Sequence, residues 1–208
     1  MLELAPGVRQ LAGFPRNKIN VYVVEDVLVD AGTVAARRRI LRETRGLNLR
    51  ATVVTHAHPD HFGSSRAVCT KLDLPLWAGA LDASSVESGK AVTGPGRLSR
   101  LLGKYKMAPG HRVDRLLKEG DEVAGFTVLD VPGHTPGHIA LWREADRVLI
   151  CGDVFFNLRR LAQPPGILTW SQERNRESMR RLSDLRPRLV LFGHGKPATY
   201  GPSDRMAF

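Results

Sequence analysis

Apolar residues cluster along the chain in eight short runs, rich in valine, isoleucine and leucine and bounded by turn-forming residues. They are INVYVVE (19–25), DVLVDAG (26–32), ATVVTH (51–56), LPLWAG (74–79), FTVLDVPG (126–133), HIALW (138–142), RVLICGD (147–153) and RLVLFGH (188–194). Runs of this length and composition predict β-strands. TVAARRRILRET (33–44), closed by Gly46, and SSRAVCTKL (64–72) predict helices, as does RESMRRLSDL (176–185), where Met179, Leu182 and Leu185 form one stripe. Strands open the chain, helices interrupt them, and a strand closes it. That order predicts a layered α/β fold in which helices cover sheets, with residues 1–208 forming one domain. Residues 80–118 stand apart, poor in strand signals and rich in glycine and basic residues. A segment of that length predicts a helical insertion or cap beside the active site.

Composition narrows the class. The chain has 208 residues, 42% of them hydrophobic and 25% charged, enough apolar material for a substantial core. No apolar run approaches the roughly 18–20 residues that span a bilayer, and the start MLELAPGVRQLAGF has no signal-peptide pattern. A cytoplasmic protein without a membrane partner is expected, with Cys69 and Cys151 buried and reduced. Lys and Arg outnumber Asp and Glu by 31 to 21, a net charge of +10 that favours anionic partners. The arginines are dispersed, however, at Arg37, Arg38, Arg39, Arg97, Arg100, Arg174, Arg176, Arg180 and Arg181. Most fall on the polar faces of expected helices, which argues for a solvated surface over a nucleic-acid groove.

The chemistry is concentrated at strand ends. THAHPDH (55–61) holds three of the seven histidines. On extended backbone His56 and His58 face the same side, and Pro59 then turns the chain, carrying Asp60 and His61 to a neighbouring position. His134 in VPGHTPGH, Asp153 in LICGDVFF and His194 in LVLFGHGKP each follow an apolar strand and a glycine. Four strand ends of this kind support one another as parts of a metal site. Imidazole and carboxylate donors suit zinc, iron or manganese.

These motifs together (His-x-His-x-Asp-His at 56–61, Gly-His-Thr-Pro-Gly-His at 133–138, Gly-Asp at 152–153 and Gly-His-Gly at 193–195) resemble the metallo-β-lactamase superfamily over residues 18–200. The resemblance implies a four-layer αββα sandwich with two divalent metal ions at one edge, zinc being the expected metal. It implies that His56, His58 and His134 bind the first ion, that Asp60, His61 and His194 bind the second, and that Asp153 bridges both. Four positive charges would be offset in part by Asp60, Asp153 and a bridging hydroxide, leaving that hydroxide available near neutral pH as the nucleophile. Asp60 is both a ligand and a candidate proton carrier.

Residues around the ligands have expected roles. The resemblance gives Asp30 a ligand histidine to orient. His138 is expected to support the site rather than bind metal, and His111 to be solvated or at a substrate edge. Phe155, Phe156, Lys196 and Tyr200 are candidates for the substrate pocket, with packing the competing role for one of the two phenylalanines.

Within the superfamily the motifs most resemble the glyoxalase II-like branch, which hydrolyses thioesters such as hydroxyacylglutathione. The resemblance departs in two places. Fourteen residues follow His194 where that branch carries a helical C-terminal domain, and the loop after Gly-Asp reads VFFNLRRLAQPP (154–165). It therefore implies a thioester hydrolase without implying the glutathione carrier. The alternatives are a lactonase sharing every ligand, a single-iron persulfide dioxygenase using His56, His134 and Asp153, and an RNA or DNA phosphodiesterase. The partner expected is a small-molecule substrate, anionic in view of the net charge, and a homo-oligomer is compatible with the sequence.

Overall fold

Two facing sheets account for the eight apolar runs. The computed structural model describes all residues except 14, 97–100, 102–106, 202–203, 205 and 207. The first sheet has seven strands in chain order: β1 (Leu2–Ala5), β2 (Val8–Gln10), β3 (Tyr22–Val24), β4 (Val27–Val29), β5 (Ala51–Val54), β6 (Leu76–Gly79) and β7 (Arg115–Leu117). β1 to β4 meander antiparallel, and β4 to β7 run parallel. The second sheet is built from β8 (Glu122–Val123), β9 (Phe126–Asp130), β10 (Ile139–Arg143), β11 (Val148–Ile150), β14 (Leu189–Leu191) and β16 (Ala198–Thr199), in the order β16-β14-β11-β10-β9-β8. A third, small sheet joins β12 (Phe156–Asn157), β13 (Leu161–Ala162) and β15 (His194–Gly195).

Side-chain alternation assigns each strand's two faces to different layers. In β3 and β4, Tyr22, Val24, Val27 and Val29 meet Phe126, Val128, Leu141 and Ile150 of the second sheet. Val23 and Leu28 point the other way, against Ile40 and Val68 of the helices. On the far side, Leu129, Ala140 and Leu149 pack against Met179 and Leu182. Both faces of the central strands are thus buried, so their sequence reads as unbroken apolar runs. Each fully buried large side chain contributes roughly 1.5–3 kcal/mol. Among the described residues the α-helices are α1 (Arg37–Glu43), led in by a 3-10 turn (Val34–Ala36), α2 (Pro59–Phe62), α3 (Ser65–Leu72), α4 (Ala83–Ser88) and α5 (Gln172–Asp184). The layers are therefore helix, sheet, sheet, helix, as expected.

The differences from the sequence reading have local causes. Every predicted strand is present, and those of 51–56, 126–133, 147–153 and 188–194 end early, because their last residues leave the ladder for the loops that carry the candidate ligands. α5 begins at Gln172, four residues before the predicted start at 176, where the Ser171 Oγ accepts from the Arg174 N–H (3.4 Å) as an N-cap. Residues 80–118 do not stay helical to the end: α4 gives way to β7, which pairs Arg115 with Trp77 of β6 and lays its guanidinium over the indole at 5.0 Å. The middle of that segment, with Arg97 and Arg100, lies outside the described residues.

Candidate metal centre

Strand ends deliver the candidate ligands to one place. β5 stops at Val54, and the chain turns so that the His58 N–H donates to the His56 carbonyl (3.0 Å). The two imidazoles therefore converge through a turn, not through the alternation of an extended strand. Pro59 takes the first position of α2, where its fixed φ suits a helix and its missing N–H costs nothing. That single turn carries Asp60 and His61. His134 comes from the β9–β10 loop, Asp153 from the loop after β11, and His194 from β15.

The donors form two sets. One atom from each of His56, His58, His134 and Asp153 lies within 4.8 Å of the others, and the same holds for Asp60, His61 and His194. Asp153 Oδ2 stands between the sets. It is 3.7 Å from His56 Nε2 and 3.4 Å from His134 Nε2 on one side, and 3.4 Å from His61 Nε2 and 3.2 Å from His194 Nε2 on the other. In the second set Asp60 Oδ2 is 3.1 Å from His194 Nε2.

Every imidazole in these sets commits its outer nitrogen to an oxygen. His56 Nδ1 meets Thr55 Oγ1 at 3.1 Å, and His58 Nε2 meets the Val92 carbonyl at 2.6 Å. His61 Nδ1 meets Asp30 Oδ2 at 2.8 Å, His134 Nδ1 meets Thr169 Oγ1 at 3.3 Å, and His194 Nδ1 meets the Lys18 carbonyl. With those nitrogens donating, the inner ones present lone pairs to one another: His56 Nε2 to His58 Nδ1 at 3.1 Å, and His61 Nε2 to His194 Nε2 at 3.4 Å. Such an arrangement repels itself unless a cation or proton intervenes. His134 Nε2 and Asp153 Oδ1 are buried without hydrogen-bond partners among the described residues. Gly193 leaves the room: a Cβ there would lie 2.0 Å from Asp153 Oδ1 and 2.6 Å from the His61 ring. Five imidazoles and two carboxylates with inward donors and fixed tautomers fit two divalent metal ions.

Without metal, the same crowding governs protonation. Burial and the neighbouring imidazoles push His56 well below the usual range, and burial with His134 takes His58 to about 3. Burial also opposes charge on His194, but the Asp153 carboxylate outweighs it and lifts that ring to about 10. Asp153 is held well below the usual carboxylate range by His194 and His61, against the opposing effect of burial.

A second layer of residues holds the donors. Asp30 accepts from His61 and, through Oδ1, from the Thr55 N–H (2.8 Å); the Thr55 hydroxyl, which accepts from His56, also donates to it. His138 belongs to neither set. Its Nε2 accepts the Asp153 N–H at 3.1 Å, which fixes the backbone of that residue. Sequence reasoning missed Asp82 and Thr169. Asp82 Oδ2 accepts from the Ala57 N–H (2.7 Å) and the Thr135 hydroxyl (2.5 Å), and Oδ1 accepts from the Gly137 N–H (2.8 Å). One buried carboxylate thus ties the His56–His58 turn to the His134 loop. Burial raises its pKa and the three hydrogen bonds pull it back. The signal available was its place just before α4, where an aspartate reads as an N-cap, yet its side chain makes no cap bond.

Above the donors lies a cavity of about 500 Å³, floored by His58, Asp60, His134, Asp153 and His194. Its walls are Val34, Ala35, Ala91, Met107, Phe156 and Leu168, and among the described residues no Lys or Arg lines it. Of the four expected pocket residues only Phe156 is there, its ring 4.6 Å from that of His194 because β12 and β15 pair in register. Phe155 alternates to the opposite face and is buried in the core of the second sheet. Tyr200 packs against that core, and Lys196 is an exposed residue at the end of β15; neither lines the cavity. His111 is half-buried and outside both donor sets.

Comparisons with known proteins agree with this geometry. The family model described as the metallo-beta-lactamase superfamily matches residues 15–194. The probable metallo-hydrolase YflN of Bacillus subtilis (strain 168) is 31% identical, covering 95% of this chain and 87% of its own. A hydroxyacylglutathione hydrolase of Bdellovibrio bacteriovorus is 29% identical over 80% of this chain and 56% of its own length. The crystal structure of TTHA1623 in a di-iron-bound form superposes with a TM-score of 0.65 at 29% identity, covering 95% of this chain and 93% of that one. The chain belongs to the metallo-β-lactamase superfamily of metal-dependent hydrolases.

Proposed function

We propose that the protein is a dinuclear metallo-hydrolase of the glyoxalase II-like kind that cleaves thioesters. The observation that carries this reading is the pair of donor sets sharing Asp153 Oδ2 beneath an apolar cavity. His56, His58 and His134 would hold one ion, Asp60, His61 and His194 the other, with Asp153 between them and zinc the metal expected. Bound there, divalent ions supply Lewis acidity, lowering the pKa of water and polarising a substrate oxygen.

The chain's own residues do the rest. Asp30, Thr55, Asp82 and Thr169 hold the ligands in place, and Val34, Met107, Phe156 and Leu168 exclude bulk water and receive an acyl group. Asp60, a more exposed carboxylate than Asp153, lines the cavity and would carry the proton to the departing thiol. Hydrolysis adds water across the acyl carbon–sulfur bond: a carbon–oxygen bond forms, the carbon–sulfur bond breaks, and the proton ends on the thiol. A lactone suits the same apolar walls and is the second reading.

The test is metal quantification followed by a hydrolysis screen over thioester, lactone, β-lactam and phosphodiester substrates. Two zinc ions per chain with thioester turnover are expected. One iron per chain with persulfide oxidation, or cleavage confined to phosphodiesters, would overturn the reading.

A further inference from the structure

A second cavity, about 490 Å³ and as large as the one over the donors, adjoins the site on the side of α1 and α3. Val34 lines both. Its floor is Gly63 and Ser64, which directly follow the α2 turn bearing Asp60 and His61. Gly63 is what lets the 32–34 loop lie against that turn: a Cβ would meet the Pro59 carbonyl at 2.3 Å and the Val34 nitrogen at 2.7 Å. The two cavities differ in charge. Among the described residues the first is lined by no cationic side chain, whereas the second is lined by Arg37, Arg66 and Lys71 and by no carboxylate. None of these three cations forms an ion pair or a side-chain hydrogen bond with a described residue. The only acid on α1, Glu43, is turned away to the Ala12 N–H (2.8 Å) and the N-terminus.

Three cations gathered without a counter-charge in a cavity of this size make a receptor for a polyanion. Two guanidinium forks and an ammonium suit phosphate oxygens, and the volume takes a nucleotide-sized group. We infer that this groove binds the phosphate-bearing carrier half of the substrate, while its acyl half enters the apolar cavity over the donors. The inference rests on the thioester reading and specifies it: the carrier is a phosphorylated thiol, and the +10 charge of the chain is used here. It also accounts for a cavity over the donors that has no cationic lining, since the substrate's charge is met next door.

The experiment compares metal-loaded wild-type protein with the R37A/R66A/K71A variant. All three residues are exposed, and equal Tm values show that the fold is kept. Two readouts are used. The first is calorimetric binding of free coenzyme A. The second is hydrolysis of acetyl-coenzyme A and of neutral S-acetyl-N-acetylcysteamine. The expected result is wild-type binding of coenzyme A that weakens at least about tenfold in the variant, each charge-assisted contact being worth on the order of tenfold. KM for acetyl-coenzyme A rises similarly at unchanged kcat, and the neutral thioester is hydrolysed equally by both proteins. Wild-type protein that does not bind coenzyme A at millimolar concentration overturns the groove even if the neutral thioester is cleaved. Coenzyme A bound through these residues with neither thioester cleaved leaves the groove standing and removes the thioesterase reading. Loss of oligonucleotide binding in the variant, with coenzyme A binding unchanged, would make the groove a nucleic-acid contact and also overturn the inference.

Discussion

Asp30 Oδ2 accepts the Nδ1 proton of His61 at 2.8 Å, and the same carboxylate reaches His56 through the Thr55 hydroxyl. One residue at the end of β4 therefore orients a donor in each set. Asp30→Asn replaces one acceptor oxygen by an amide that cannot accept the His61 proton, so the ring is freed to turn. Metal affinity is expected to fall about 10–100-fold, in line with loss of an outer-shell partner. Titration with a competing chelator reads both sites, and weakening confined to one ion would contradict the shared role.

The two donor sets predict separable occupancy. Asp60→Ala should remove the second ion and His134→Ala weaken the first, so metal analysis of dialysed protein should give about one ion per chain in the former. Turnover should fall by more than the roughly 10–100-fold of an outer-shell change. Wild-type turnover in either variant would sink the two-metal hydrolase.

Asp82 links loops that the fold brings together from distant points of the chain. Asp82→Ala leaves the Ala57 and Gly137 N–H groups buried without acceptors, at about 1–3 kcal/mol each. A drop of at least about 5 °C in Tm is expected. In the folded fraction both His56–His58 and His134 lose their anchor, so metal affinity should fall too. A lower Tm with unchanged metal affinity would confine Asp82 to stability.

Burial lifts the Cys69 thiol to about 11. Because thiolate is the reacting species, Cys69 should resist a thiol reagent at pH 8 until the protein unfolds. The folded value lies above the ordinary 9.0. The stability this burial supports is therefore present in full below about pH 9 and is lost as pH rises through about 11. Labelling kinetics with and without denaturant check the first point, and denaturant midpoints from pH 8 to 11 check the second. Rapid labelling of the native protein would contradict it.

The parts of this fold legible in the sequence are those whose cause is local. Val23, Val27, Val53 and Ile150 mark strands because both faces of the central sheets are covered. Met179 and Leu182 mark α5 because one face of it is. The seven candidate donors were legible because they gather in the short segments that follow four apolar strands. β12, β13 and β15 left no pattern: two-residue strands exist only because residues 156–157 and 194–195 happen to run side by side. β7 was hidden by its shortness and by the basic residues Arg112, Arg115 and Lys118 in and around it, and its place depends on pairing with β6. Asp82 was unreadable for the same reason, as its partners lie 25, 53 and 55 residues away.

The pairing of Phe156 with His194 has its own consequence. A residue that lines the apolar cavity and a residue that would hold an ion are facing rungs of one ladder, so a shift of one carries the other with it. Substitutions that widen this wall will also retune the metal, and natural variation in substrate range along this branch should travel together with variation in metal preference. Selectivity and reactivity would then be set by one ladder.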